Sequence, residues 1–160
     1  MEARAKLLGH PVHQMLVPLP FGLLARGVVF DVLSLAFHSA TWSVVAYWLI
    51  AAGVITALLA APFGFVDWLG IPSRTRAKRI GAIHGIGNLF VIVLFALSWS
   101  MRGVGSGYSN TYAVVLSFIG GAVALFTGWL GGELVDRLGV GVDSGANVNA
   151  PNSIRTHRAA

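Results

Sequence analysis

The stretch WSVVAYWLIAAGVITALLAAPFGFVDW, from Trp42 to Trp68, contains no charged side chain before Asp67. A helix needs about 20 mostly apolar residues to cross the hydrocarbon core of a bilayer. A small soluble domain does not leave an apolar surface of this size exposed to water. The stretch therefore predicts a transmembrane helix, and it decides the class of fold.

Three further stretches have the length and composition of membrane spans. They extend from Met15 to Phe37, from Ile80 to Met101 and from Thr111 to Val135. Short links join the spans, so successive helices are expected to be antiparallel neighbours. We predict an all-α integral membrane protein, a four-helix bundle with antiparallel up-down topology, as one transmembrane domain over residues 1–138. The Gly-, Asn- and Ser-rich remainder, residues 139–160, is predicted to be a flexible tail.

The composition of the 160-residue chain supports this class. Apolar residues make up 56% of it and charged residues 11%, and a soluble protein of this size could not bury so much apolar surface. The chain contains no Cys, which excludes disulfides, thiolate metal sites and covalently attached c-type haem within it. Histidine, carboxylate, Asn and backbone groups remain as potential ligands.

The basic residues are distributed unequally between the two ends of the predicted bundle. With the N-terminus inside, Arg102 lies outside, whereas the inside set consists of Arg4, Lys6, Arg74, Arg76, Lys78, Arg79, Arg137, Arg155 and Arg158. This pattern predicts cytoplasmic termini in a multi-pass membrane protein. No nucleic-acid-binding motif accompanies the net charge of +5. We therefore expect the basic residues to meet lipid headgroups and not nucleic acid.

Ionisable residues from separate segments fall at one predicted depth, near the cytoplasmic ends of the helices. The set consists of His10, His13, Asp67, His84 and Glu133. Imidazole and carboxylate groups are suitable ligands for Fe, Zn or Mn. Alternatively, His13 and His84 are axial ligands of a b-type haem, with Asn88 one helical turn after His84 as a neighbouring polar group. In that case the haem propionates would meet the basic loop between the second and third spans, which contains Arg74, Arg76, Lys78 and Arg79.

Three interpretations of this layer stay open. It is a metal or haem site, a structural network in which Asp67 and Glu133 pair with the basic loop, or part of a proton or solute path. Polar groups buried in a membrane protein are costly, and they are therefore functional candidates by default. Residues at helix ends, however, can also remain hydrated.

The layer also indicates an internal repeat. The first predicted hairpin begins near His13 and ends near Asp67, and the second begins near His84 and ends near Glu133. Tandem duplication of one hairpin, about an axis along the membrane normal, would produce this pattern.

Two charged residues lie inside the first span. Arg26 is roughly 16 Å along the helix from Met15, near the middle of the bilayer, and Asp31 lies further out. We expect Arg26 to pair with Asp31 or to bond to neighbouring carbonyls, although residues five positions apart diverge around a helix. The alternative is a step in a proton or ion relay.

Motifs along most of the chain resemble one family. They are Gly9-His10-Pro11-Val12-His13, Phe30-Asp31, Asp67-Trp68, Ile71-Pro72, Thr75 to Arg79, His84-Gly85 with Asn88, Gly128 to Val135, and Gly139 to Val142. Over about residues 7–142 the chain resembles a widespread bacterial family of predicted membrane proteins with a domain of unknown function and a Gly-His-Pro-x-His opening. The resemblance implies four membrane helices and no assigned activity. Some members are fused to Rieske-type iron–sulfur domains, which favours electron transfer.

We therefore interpret the chain as a membrane protein that binds haem b or a metal, transfers electrons to a redox partner and assembles as a homo- or hetero-oligomer. The alternatives are a non-enzymatic scaffold or accessory subunit of a larger membrane complex, and a small transporter. The sequence has no nucleophile–base motif, phosphate loop or zinc-protease helix. Whether the protein is an enzyme stays open.

Overall fold

A computed structural model describes residues 1–103 and 110–156, and the side chains of residues 1–103 and 110–154. Arg158 and the side chain of Arg155, both used in the orientation argument, lie outside this part. Within it, four helical stretches are long and apolar enough to cross a membrane: Val12–Phe37, Ala40–Gly70, Arg76–Ser100 and Thr111–Arg137. The predicted all-α bundle of four membrane helices is confirmed, with helix ends displaced by a few residues.

The first stretch consists of two helices, α1 (Val12–Leu16) and α2 (Pro18–Phe37). The remaining elements are α3 (Ala40–Gly70), α4 (Arg76–Ser100), α5 (Thr111–Gly132), the π-helical turn Glu133–Arg137 and the short α6 (Ser153–Thr156). Helix α2 packs along α3, and α4 packs along α5. These two antiparallel hairpins contact each other through α3 with α4 and α2 with α5, which closes the bundle.

The link between the hairpins is shorter than predicted. Helix α4 begins at Arg76 and not at Ile80, because Thr75 Oγ1 accepts a hydrogen bond from Lys78 N at 3.1 Å and so caps the helix. Lys78 then reaches back to α3. Its Nζ donates to Trp68 O at 2.7 Å and lies 3.8 Å from the centroid of the Trp68 ring.

The N-terminal segment folds back against the end of α3, where Arg4 N and Ala5 N donate to Asp67 Oδ1. Strands β1 (Lys6–Leu7) and β2 (His10–Pro11) form a short antiparallel hairpin. Its turn contains Gly9 at φ 86°, a conformation that glycine adopts without steric cost. Ala3 is buried. The folded N-terminal segment therefore lies against the end of α3 that carries Asp67.

The segment after the π-helical turn contacts the same end. Gly139 O accepts from the Met1 ammonium at 2.7 Å, and Ser144 Oγ donates to a Glu2 oxygen at 3.1 Å. Hydrogen bonds from Lys6 and Ser144 hold the pKa of the Glu2 carboxyl below its ordinary value. The flexibility predicted for residues 139–160 stays a prediction.

The core of the bundle is small, and its outer surface is apolar. Leu24, Ile50, Val54, Val91 and Phe95 form one buried cluster at the centre. Many large apolar side chains point outward instead; Ile86, Leu125 and Trp129 are each more than 60% exposed. A surface of this kind is compatible with lipid as the surrounding solvent.

Candidate functional site

Helix α1 positions the first histidine of the predicted layer. His13 Nδ1 lies 3.0 Å from Ala60 O on α3. Because a carbonyl oxygen only accepts, the proton is on Nδ1, and Nε2 is left with its lone pair. The ring packs against Gly64, where a Cβ would lie 2.7 Å from His13 Cε1. Glycine at this position therefore leaves the space that the imidazole occupies.

Helix α4 positions the second histidine in the same way. His84 Nδ1 lies 2.9 Å from Thr127 O on α5, and His84 Nε2 lies 3.0 Å from Asn88 Nδ2. Asn88 Oδ1 in turn accepts from Thr127 Oγ1 at 3.0 Å. Gly131, one turn beyond Thr127, would place a Cβ 3.1 Å from His84 Cε1. His84, Asn88 and Thr127 thus form one connected network that orients the imidazole.

The two histidine sites are repeats of one arrangement. His13 and His84 are 71 positions apart, as are Leu24 on α2 and Phe95 on α4. Their partners on α3 and α5 are 67 positions apart in each case: Ala60 and Thr127, Gly64 and Gly131, Gly53 and Gly120. A Cβ on Gly53 would lie 2.6 Å from Leu24, and one on Gly120 would lie 2.8 Å from Phe95. The two hairpins therefore repeat the same helix–helix contacts.

These contacts correct part of the internal repeat that the sequence predicted. The equivalence of His13 with His84 agrees with the contacts, but that of Asp67 with Glu133 is wrong. The offset of 67 positions takes Asp67 to Leu134, and the two carboxylates have different kinds of partner.

Both histidines line one cavity between the helices, and it is partly open at the surface, where its wall residues Phe21 and Leu125 are exposed. Its volume is about 590 Å³, and its wall includes His13, His84 and Asn88. The other side chains on the wall are apolar and come from α2, α3, α4 and α5, among them Phe21, Leu24, Val91, Phe95 and Leu125. The cavity therefore has a polar end at the depth of the histidines and an apolar remainder, and it suits a largely apolar ligand.

The remaining predicted ligands have other partners. Asp67 Oδ1 accepts from the backbone N–H groups of Arg4 and Ala5 at 2.7 and 3.0 Å. Glu133 Oε1 accepts from Arg76 Nη2 at 2.5 Å, as the structural interpretation expected for the basic loop. His10 is exposed and lies 3.3 Å from Ser153 Oγ. In the part of the chain that the structure describes, no group of three or more His, Asp or Glu side chains could hold a metal ion.

A buried ion pair lies toward the opposite end of the bundle. Arg102 Nη1 and Nη2 donate to Asp31 Oδ1 and Oδ2 at 2.5 and 2.7 Å, and the two side chains are 2% and 0% exposed. Ser117 Oγ donates to Asp31 Oδ2 at 2.5 Å, and Arg102 Nη2 also donates to Ser98 Oγ at 3.0 Å. Asp31 and Arg102 are 71 positions apart, so the acid and the base occupy equivalent places in the two hairpins.

Of the two partners expected for Arg26, Asp31 is wrong and a neighbouring carbonyl is confirmed. Arg26 and Asp31 lie on different sides of α2, and Arg26 Nη1 instead donates to Gly22 O at 3.4 Å. Sequence reasoning counted Arg102 as an extramembrane residue and did not find its role, nor those of Ser98, Ser117 and Thr127. The one available signal was that Arg102 directly follows a span free of charge.

The fold and surface define a multi-pass membrane protein, an antiparallel bundle of four membrane helices in contact with the lipid bilayer. The chain belongs to the family described as "Predicted membrane protein (DUF2231)", whose model matches residues 9–144. That family carries a domain of unknown function, in agreement with the resemblance found in the sequence. No curated protein and no solved structure matches the chain.

Proposed function

We propose that the protein binds haem b between His13 and His84 and transfers electrons in the membrane. The observation that carries the proposal is the paired geometry of the two imidazoles. Each donates Nδ1–H to a backbone carbonyl of its own hairpin, and both line the same cavity. Proteins commonly orient a metal-ligating histidine by a hydrogen bond from its other ring N–H to a backbone carbonyl.

The residues around the cavity fit a haem. Apolar side chains from four helices would contact the faces and edges of the macrocycle. Arg74, just before α4, and Arg79, in its first turn, would supply counter-charge for its propionates. His84 Nε2 would have to exchange its bond with the Asn88 amide for iron. Asn88 would then stay attached to Thr127 through Oδ1. Bound haem supplies one-electron redox chemistry.

A haem is better supported than a non-haem metal held by His10, His13, Asp67, His84 and Glu133. A haem iron needs two protein ligands in a bis-histidine site, whereas a non-haem site needs more. Asp67 and Glu133 have partners of their own. We further propose that the termini face the cytoplasm of a bacterial inner membrane, since the basic residues gather at that end. The haem would then lie near the cytoplasmic surface, within reach of a redox partner there.

The second candidate function is that of an accessory subunit in a larger membrane complex. The observation that favours it is the exposed position of Arg26 within a membrane span.

The proposal is tested by the haem content of purified full-length variants. We expect His13→Ala and His84→Ala each to lose stoichiometric haem, because each removes one axial ligand. His10→Ala is the matched control, since His10 is exposed and outside the cavity wall, and it should retain haem. Equal haem content in all three variants, or haem-free wild-type protein that remains folded, would contradict the proposal.

A further inference from the structure

The further inference concerns the lipid-facing side of α2. Arg26 is exposed, as are Leu19 and Val29, and positions three and four apart share one side of a helix. The side of α2 that faces the bundle carries Leu24 and Asp31, both buried. Arg26 thus projects from the side of α2 that the described part of the chain leaves largely uncovered.

The depth of Arg26 makes this position costly. The span is Val12–Phe37, and at about 1.5 Å per residue Arg26 lies roughly 21 Å from its start and 17 Å from its end. Arg26 therefore lies near the middle of a hydrocarbon core about 30 Å thick, and its side chain is too short to reach the headgroups on either side. The guanidinium stays charged at any physiological pH, and a charge facing lipid at this depth is strongly unfavourable.

The described part of the chain satisfies little of this charge. Gly22 O is the one acceptor it offers Arg26, at 3.4 Å, whereas a guanidinium has five N–H donors. The bond draws the side chain about one helical turn toward the start of the span, which still leaves it well inside the apolar region. Most of its donors need an acceptor from outside these residues.

A second copy of the chain cannot supply a carboxylate at this depth. The acidic residues of the chain are Glu2, Asp31, Asp67, Glu133, Asp136 and Asp143. Asp31 alone lies in the interior of a span, and it is fully buried against Arg102. A parallel second copy would instead bring another Arg26 to the same depth. A carboxylate that meets Arg26 at this depth therefore belongs to a different molecule.

We propose that the side of α2 formed by Leu19, Gly22, Arg26 and Val29 binds a transmembrane helix of another protein that carries a carboxylate near mid-bilayer. Gly22 has no side chain, and it lets a neighbouring helix approach closely beside the guanidinium. A carboxylate accepts two parallel N–H bonds from Arg, which gives the contact a defined geometry. This interface is independent of the haem proposal, because none of these four residues lines the histidine cavity.

The test uses the purified full-length protein in lipid vesicles with a labelled transmembrane peptide of Leu and Ala that contains one central Glu. A second peptide has Gln in place of Glu. Energy transfer between protein and peptide should show at least about tenfold tighter association of the Glu peptide, as expected for a desolvated charge pair. Arg26→Leu should abolish the difference, and Arg26→Lys should keep part of it.

Two controls separate this interface from its alternatives. The double variant with Arg26→Leu and Ile55→Arg moves the cation to an exposed position of α3, and it should bind the Glu peptide more weakly than wild type. If the double variant and wild type bound the Glu peptide equally, a cation anywhere on the lipid-facing surface would be sufficient for binding, and the proposal would be overturned. Equal binding of the Glu and Gln peptides to wild type would also overturn it, as would a homo-oligomer that dissociates in Arg26→Leu.

Discussion

At the scale of single residues, the bilayer changes the consequence of each charge. Asp31 and Arg102 satisfy each other, and Ser98 and Ser117 complete their hydrogen bonds. Arg26 lacks such a partner within the described chain. The sequence shows that charges lie in or beside a span, but helical spacing alone cannot identify a partner 71 positions away. The Asp31–Arg102 pair could therefore not be predicted, and of the two partners expected for Arg26, Asp31 was wrong and a neighbouring carbonyl was confirmed.

The buried ion pair predicts an asymmetric response to mutation. Asp31→Asn should destabilise the folded protein by about 3–5 kcal/mol, because it leaves the Arg102 guanidinium buried without its counter-ion. The double variant with Asp31→Leu and Arg102→Met should lose less than the sum of the two single variants, since no charge is left unpaired. Unfolding of Asp31→Asn, Asp31→Leu, Arg102→Met and the double variant in one detergent measures these differences. Strict additivity would contradict the pairing.

At the scale of helices, close packing depends on glycines at equivalent places in the two hairpins. Gly53 contacts Leu24, and Gly120 contacts Phe95, each at a distance that leaves no room for a Cβ. The sequence predicted a repeated hairpin. It could not determine which apolar residue each glycine faces, because that depends on the rotation and register of one helix against another.

These contacts predict which glycines tolerate a methyl group. Gly53→Ala and Gly120→Ala should each destabilise the bundle by about 1–3 kcal/mol, the usual cost of overpacking a core. Gly85→Ala and Gly132→Ala are the controls, because nothing lies within 4 Å of a Cβ at either place and Ala favours helix over Gly. Thermal unfolding in detergent compares the four variants. Equal effects at all four positions would contradict the packing described.

At the scale of the whole molecule, the length and apolar composition of the spans were sufficient to predict the bundle. The sequence also placed five ionisable residues at one end, but it could not show that the N-terminal segment would fold back onto the end of α3. Asp67 binds this segment through Arg4 N and Ala5 N. The predicted layer is therefore divided: His13 and His84 line the cavity, whereas Asp67 and Glu133 join chain segments.

The orientation of the bundle is measurable because the chain has no native Cys. Ser39 lies between α2 and α3, and Ser73 lies between α3 and α4, so single cysteines at these positions report opposite ends. With cytoplasmic termini, a membrane-impermeant maleimide should label Ser39→Cys in intact cells and Ser73→Cys only after permeabilisation. The reverse pattern would place the basic end outside and contradict the orientation.

The central claim is that His13 and His84 together hold one redox-active haem. It is tested most directly by the reduced-minus-oxidised absorption spectrum of the purified full-length protein, produced in cells supplied with haem. The account predicts the Soret and α bands of a low-spin bis-histidine haem b at one haem per chain, and their loss in His84→Ala. A folded wild-type protein without these bands, or a spectrum that His84→Ala leaves unchanged, would contradict it.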